Sequence, residues 1–336
     1  MKKYTVGILG ATGLVGREII GILLKRHFPI EKVVLLASAR SAGSVQSVGD
    51  QSVTVQEVTP EAFDEIDILF SSAGGNVSRE WVPQAVAHNC VVIDNTSAFR
   101  MEENVPLVVP EVNAEALKKH QGLIANPNCS TAQLVVALQP LHQAFEIQRL
   151  VVSTYQAVSG AGNQAVQELY MQTEQALSGQ QVIPQVLPKT IAFNLIPFIG
   201  SFLESGYTDE EMKMTHEVHK IMGSEIPTCA TCIRVPVANG HSESVNIEFK
   251  QPVTVEQVHE TLKRAPGIVI QDDLQLRHFP TPQDISGTDP VYVGRVRQDV
   301  SHPNGINLWV VADNLRKGAA LNAVQIAESL IEQDLL

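Results

Sequence analysis

YTVGILGATGLVGREIIGILL, residues 4–24, reads in one pass as strand, glycine-rich turn and helix. Tyr4 to Leu9 is a short, largely apolar run, and from Leu14 onward the apolar residues recur at helical spacing. Between them lies Gly10-x-x-Gly13-x-x-Gly16, a variant of the G-x-G-x-x-G pattern. Glycines there let the backbone approach a pyrophosphate, whose charge then meets the unpaired N–H groups of the helix N-terminus. The same glycines could serve only a tight turn that packs helix on sheet, so the position at the first strand-to-helix junction carries the argument. Two lysines ahead of the apolar residues imitate a secretory signal, but glycines at 7, 10, 13 and 16 interrupt the apolar run.

The end of the next strand-like run sharpens the ligand. An NAD site would place Asp or Glu there, about 20 residues past the glycines, to take the ribose 2′-hydroxyl. Here the sequence is LLASARSAG, residues 35–43, with Arg40 and Ser41 and no acid. A guanidinium suits a 2′-phosphate, so the expected cofactor is NADP.

Beyond this unit, short β-rich runs alternate with helical patterns through the first third of the chain, which predicts a mostly parallel sheet covered by helices. The texture then changes. RLVVSTYQAVS reads as a strand, NQAVQELYMQTEQAL and DEEMKMTHEVHKIM as helices, and ATCIRVPV, SVNIEF, VYVGRVRQD and NLWVVAD as neighbouring strands. That order predicts a second, antiparallel-rich α+β domain. LRKGAALNAVQIAESLIEQD is an amphipathic helix able to return to the first domain. The expected division is an α/β, Rossmann-like nucleotide domain over 1–128 plus 315–336, and a catalytic domain over 129–314.

With 336 residues, 44% of them hydrophobic, the chain can bury a large core. It has no apolar window long enough to cross a bilayer as a helix. A formal charge of −12 argues against nucleic acid or an anionic membrane as partner, so any anionic small ligand must be held by a few local arginines and lysines. Four cysteines are too few for a disulfide scaffold, and a reducing cytoplasm is the expected compartment. Cys229 and Cys232 form C-x-x-C in a strand-like run that sends them to opposite faces. With no second such pair, no metal site is expected.

Cys129 is different. Asn126, Pro127 and Asn128 are turn residues, and an apolar helical pattern follows from Ala132, so the thiol falls at the positive end of a helix, where thiols ionise most readily. A cysteine nucleophile needs a proton carrier and an oxyanion stabiliser. His241, after Gly240 in a turn between two strand-like runs, is one candidate among ten histidines. His216 and His219 read as exposed helix positions.

The ordered set GATGLVG, ASARSAG, NTSAFR, NPNCST, TYQAVSGAG, DEEMK, CIRVPVANGHSESV and ADNLRKGAA resembles the aspartate-β-semialdehyde dehydrogenase family over essentially the whole chain. The resemblance implies reversible, NADPH-dependent reduction of β-aspartyl phosphate to aspartate semialdehyde and phosphate, at the branch toward lysine, threonine, methionine and diaminopimelate, by a homodimer. By matching motif it implies Cys129 as nucleophile forming an acyl-thioester and His241 as acid/base. It implies Arg100 and Lys213 on phosphate, Arg234 on the substrate α-carboxylate, Glu210 facing its ammonium group, and Gln156 positioning the substrate. Gly10, Thr12, Gly13, Leu14, Val15, Arg40, Ser41, Ser159, Gly160 and Asn314 correspond to NADP contacts. Asn163 departs from the pattern, since many members carry Lys or Arg there. Two other readings remain: an N-acetyl-γ-glutamyl-phosphate reductase, which runs the same chemistry with its cysteine in an N-P-G-C-Y-P-like context, and a non-catalytic NADP-binding scaffold.

Overall fold

The computed structural model describes residues 2–336, and the chain forms two compact units: residues up to Asn128 together with Ala319–Leu336, and Cys129–Gly318. The return to the first unit falls at Ala319 rather than at 315.

The first unit contains strands β1 (Tyr4–Leu9), β2 (Ile30–Ala37), β3 (Val45–Val48), β4 (Gln51–Thr54), β5 (Gln56–Glu57), β6 (Ile68–Ser71), β7 (Val91–Asp94) and β8 (Leu123–Ala125). Six of them make an all-parallel sheet in the order β5-β2-β1-β6-β7-β8. The strand order therefore reverses between β1 and β6, the place where such sheets open a crevice for a nucleotide. Strand β1 is buried on both faces apart from the partly buried Thr5, as its largely apolar character suits in a covered parallel sheet. Its helices are α1 (Leu14–Lys25), α2 (Gly75–Ala87), the short α3 (Pro110–Asn113) and, from the end of the chain, α9 (Leu321–Glu332). Ile19 and Leu23 of α1 share one core with Val324, Ile326 and Leu330 of α9 and with Val6 and Ile8 of β1, so the C-terminal helix completes this unit.

One local reading needs correcting. SVTVQEV is not a single strand: Gly49, at φ +61, and Asp50 close a hairpin between β3 and β4, and only Gln56–Glu57 joins the sheet as its edge.

In the second unit β9 (Ile147–Gln156), β10 (Thr228–Arg234), β11 (His241–Phe249), β12 (Ile268–Ile270), β13 (Val291–Gln298) and β14 (Gly305–Ala312) form a mixed sheet, β10-β9-β11-β14-β13-β12. The inner pairings are antiparallel and the two outer ones parallel. Its helices are α4 (Cys129–Phe145), α5 (Asn163–Leu177), α6 (Asp209–Met222), α7 (Val255–Lys263) and the single turn α8 (Pro282–Ile285). Strand β9 alternates, with Leu150, Val152, Thr154 and Gln156 buried and the residues between them more exposed. Helix α4 is buried along most of its length and contacts β9, β11 and β14. In this unit α7, α8 and β12 lay outside the sequence reading, as did α3 and β8 in the first, although Thr254 and Gln257 form a capping box at the start of α7.

The glycine turn is constrained sterically. Gly10 has φ +88, and a Cβ on it would sit 2.9 Å from the backbone of Ser72 and Ala73, in the loop after β6. A Cβ on Gly16 would lie 2.5 Å from the Gly10 carbonyl oxygen, whereas one on Gly21 would meet nothing within 4 Å. Gly16→Ala is therefore expected to lower stability by about 1–3 kcal/mol through overpacking. Gly21→Ala should stabilise helix α1 by up to about 1 kcal/mol. Urea unfolding of the two variants checks the contrast, and equal effects would contradict it.

Candidate active site

Helix α4 starts at Cys129, directly after the Asn126-Pro127-Asn128 turn, so the thiol occupies the first helical position. It is half-buried. The backbone of Gly318 lies against it: a Cβ there would come 2.8 Å from the Cys129 Cβ. The other cysteines are in different situations. Burial pushes the Cys90 thiol up to about 12 and raises Cys232 further, while Cys229 is exposed on the opposite face of β10 from Cys232.

Three side chains share the edge of the sheet nearest the start of β11. Arg234 ends β10 in register with Gln156 at the end of β9, and His241 opens the antiparallel β11, where Ser242 pairs with Tyr155. His241 is thus a strand residue and not a turn residue; the turn is taken by Gly240, at φ +92. Gln156 is buried, with its Oε1 accepting from Thr154 Oγ1 at 3.0 Å and its Nε2 donating to Glu210 Oε1 at 3.2 Å. Arg234 is 5% exposed and donates from Nη1 to the Ala157 carbonyl at 2.8 Å. Burial lowers its pKa, opposed by its electrostatic interactions with Cys129 and Glu210. His241 is fully buried; its Nδ1 accepts the Ala157 N–H at 3.0 Å and its Nε2 has no hydrogen-bond partner. Burial, and then the Arg234 charge, hold its pKa well below that of an ordinary imidazole. It is neutral at pH 7.

Helix α6 brings two more candidates. Thr208 and Glu211 form a reciprocal capping box, and Glu211 Oε1 also accepts from the Cys232 N–H at 3.1 Å, which docks the helix start on β10. Glu210 is consequently buried beside Gln156, and Lys213 pairs with Asp209 at 2.6 Å and Glu210 at 3.5 Å. His219 is not the exposed residue read from sequence; its Nε2 lies 2.6 Å from the Ile226 carbonyl oxygen. Asn314 receives the Gly240 N–H on Oδ1 at 2.8 Å and donates from Nδ2 to Ser159 Oγ at 2.9 Å, so it ties together the loops on either side of His241. Gly160 packs on the same pair of side chains, since a Cβ there would meet Arg234 Nη1 at 3.0 Å and His241 Nε2 at 3.2 Å.

The first unit carries the remaining candidates. Gly10, Thr12 and Gly13 form the turn after β1, and Leu14 and Val15 open α1. Arg40 is exposed just past the end of β2, with Ser41 in the same turn. Arg100 is 7% exposed, donating from Nε to the Asn126 carbonyl and from Nη2 to the Asn95 carbonyl, both at 2.9 Å.

Sequence reading missed Glu243 and Gln133. Glu243 lies one row below His241 on the same face of β11, in register with Thr154, and Thr154 with Cys232. It is fully buried, with the Gln133 side chain beside its carboxyl. Burial raises its pKa well above the ordinary carboxylate value, outweighing the opposing hydrogen bond from Gln133. Gln133, from α4, donates to the His241 carbonyl at 3.4 Å. The signal was present in HSESV: a glutamate two residues from a buried histidine on one strand shares its buried face.

A nucleotide-type sheet followed by a unit that gathers a thiol, an arginine and a buried histidine fits a dehydrogenase. Family models agree: the semialdehyde dehydrogenase NAD binding domain matches residues 5–120 and the semialdehyde dehydrogenase dimerisation domain residues 138–317. The aspartate-semialdehyde dehydrogenase of Bacillus subtilis is 50% identical, over 98% of both chains. The crystal structure of aspartate semialdehyde dehydrogenase II complexed with ASA, from Vibrio cholerae, superposes with a TM-score of 0.96 at 47% identity, covering 99% of both chains. The Candida albicans enzyme with NADP gives 0.78 at 29% identity, covering 100% of both chains. The chain belongs to the aspartate-semialdehyde dehydrogenase family and is an oxidoreductase of that kind. Among the described residues no helix is long and apolar enough to cross a membrane.

The buried acid gives a pH test. The folded state retains the Glu243 proton to a higher pH than the unfolded state, whose carboxyl titrates near about 4.3. Above that value the folded state binds more protons, so this group's contribution to stability falls as pH rises. Glu243→Gln removes the titration, and its melting temperature relative to the parent protein should climb as the pH rises above the unfolded carboxyl value. A difference independent of pH would contradict a raised Glu243 pKa.

Proposed function

We propose that the chain reduces β-aspartyl phosphate reversibly to aspartate semialdehyde and phosphate with NADPH, through an acyl-thioester on Cys129. The observation that carries this reading is the half-buried thiol at the N-terminus of α4, near enough to the buried Arg234 to act on its charge. A helix N-terminus and a nearby cation both favour thiolate. An acyl phosphate is already activated, so the thiolate attacks its carbonyl carbon, the C–S bond forms and phosphate departs with the C–O electron pair. NADPH, when bound, supplies the hydride that reduces the thioester. His241 meets the carbonyl oxygen that becomes charged, and collapse of the tetrahedral species returns the thiolate and frees the semialdehyde.

The other roles follow from side-chain chemistry. Arg234, a planar fork, holds the α-carboxylate; Glu210 offers the ammonium group a buried counter-charge; Gln156 sets the substrate beside the thiol; Arg100 and Lys213 take phosphate. Glu210 also favours aspartyl over N-acetyl-glutamyl substrates, because an acetylated nitrogen carries no charge to match it. A scaffold without catalysis would have no need for a half-exposed cysteine beside a buried arginine.

The residues suit NADP. The turn at Gly10 and Gly16 has no room for side chains, which keeps the backbone N–H groups at the start of α1 within reach of a pyrophosphate, and the exposed Arg40 at the end of β2 suits a 2′-phosphate. Ser159, Gly160 and Asn314 are assigned to the same cofactor. Phe193, Leu195, Phe202 and Leu203 are exposed in the second unit, which supports a homodimer formed through it. A reducing cytoplasm suits the four free cysteines, and the product places the enzyme in lysine, threonine, methionine and diaminopimelate biosynthesis.

Purified protein should form NADPH from aspartate semialdehyde and phosphate, and not from N-acetyl-glutamate semialdehyde. Cys129→Ala should abolish that turnover while NADP binding is retained; substantial activity in this variant would refute the covalent route. Arg40→Asp should move coenzyme preference toward NAD, since a carboxylate accepts from a ribose hydroxyl but repels a phosphate. Unchanged kcat/KM ratios for the two coenzymes would refute the role of Arg40.

A further inference from the structure

We infer that Asp94, the last residue of β7, is a positioning residue for the phosphate step: its carboxyl holds the turn at Thr96 from which Arg100 is aimed. The inference rests on the assignment of phosphate to Arg100 and names what orients that side chain. Asp94 sits in register with Ser71, the last residue of β6, and both are fully buried together with Ser78 in the first turn of α2. Ser78 Oγ donates to Asp94 Oδ1 at 2.8 Å, which uses its single proton, so the 2.9 Å contact between the two serines is donated by Ser71. Thr96 supplies the other donors. Its N–H reaches Oδ1 at 3.2 Å and its hydroxyl reaches Oδ2 at 2.7 Å. Thr96 Oγ1 in turn accepts the Ala98 N–H at 3.2 Å, which bends the chain back between Asn95 and Arg100.

Both carbonyls that grip the guanidinium ride on this acid. Asn95 lies between Asp94 and Thr96, is tied to the Ser71 carbonyl by its N–H at 2.8 Å and its Nδ2 at 3.2 Å, and takes Arg100 Nη2 on its own carbonyl at 2.9 Å. Asn126, just past β8, gives its N–H to the Asp94 carbonyl at 2.8 Å and takes Arg100 Nε at 2.9 Å. One residue therefore sets both anchors, through its side chain on one and its main chain on the other.

The choice of acceptors has a chemical consequence. Carbonyls orient a guanidinium and leave its charge for an anion, whereas a carboxylate would orient it and cancel that charge. The acid six residues before Arg100 is instead spent on two hydroxyls and an amide, which also meet both of its buried oxygens. The sheet has no need of this network, because β7 is already paired by β6 on one side and β8 on the other. What the network adds is a fixed turn between the strand end and the arginine.

The test separates the two half-reactions in oxidation of aspartate semialdehyde, since phosphate enters only after the thioester has formed. Thr96→Val keeps the shape of the half-buried side chain and removes the donor to Asp94 Oδ2; Thr96→Ser keeps that donor. Thr96→Val should raise KM for phosphate about five- to tenfold, the scale of one lost hydrogen bond, while the first turnover of NADPH without phosphate keeps the parent rate. Thr96→Ser should return KM for phosphate to the parent value, and Asp94→Asn, which loses one accepting oxygen, should raise it in the same way as Thr96→Val. A phosphate KM in Thr96→Val equal to the parent's overturns the inference, and so does a first turnover slowed by the same factor as the phosphate step, which is the mark of a general structural role. Arg100→Ala keeps the two readings apart: it should raise KM for phosphate by more than either variant, and an unchanged value there removes the phosphate assignment itself.

Discussion

The backbone of Ala157 is the point on which the site depends. Its N–H fixes the imidazole of His241 and its carbonyl fixes the guanidinium of Arg234, so two side chains from different strands are oriented by one residue. That residue follows the last position of β9, and the two it holds are the first of β11 and the last of β10. The geometry is therefore a property of strand register. A slip of one residue in either pairing would turn a site residue to the other face of the sheet. Burial does the remaining work: it keeps His241 neutral and makes the attraction between Arg234 and its acidic neighbours stronger than it would be in water.

The two units are built on different logic. The nucleotide unit relies on the absence of side chains, with Gly10 and Gly16 admitting backbone where a Cβ would collide. The second unit relies on polar groups buried in a sheet whose face is covered by α4 and α6. Gln156, Thr154, Glu243 and Gln133 are buried polar groups there, an arrangement that costs stability wherever a group lacks a hydrogen-bond partner. Burial disfavours the charged form of Glu243 beneath His241.

Local chemistry was legible in the sequence. The glycine turn, the helix opening at Cys129, and the bounds of α5 and α6 follow from spacing and capping over neighbouring residues, and the order of motifs named the family. Strand alternation also separated Cys229 from Cys232. What stayed hidden depends on distant pairing. The Ala157–His241 contact joins residues 84 positions apart, and nothing local announces it. His241 read as a turn residue because Gly240 precedes it, yet the antiparallel partnership with β9 and β14 begins there. The β3–β4 hairpin was missed for a similar reason: SVTVQEV alternates like one strand by itself, and nothing within it shows that its first part pairs back on Val45–Val48 while Gln56–Glu57 joins the parallel sheet.

The most direct measurement of the covalent account is a single turnover without phosphate. Aspartate semialdehyde and NADP mixed with the protein in a quenched-flow instrument should give a rapid burst of one equivalent of NADPH per active chain. Mass analysis of the quenched protein should then find an aspartyl group on Cys129 as thioester, removed on adding phosphate. NADPH formation that needs phosphate from the start, or an adduct on any other residue, would contradict the account.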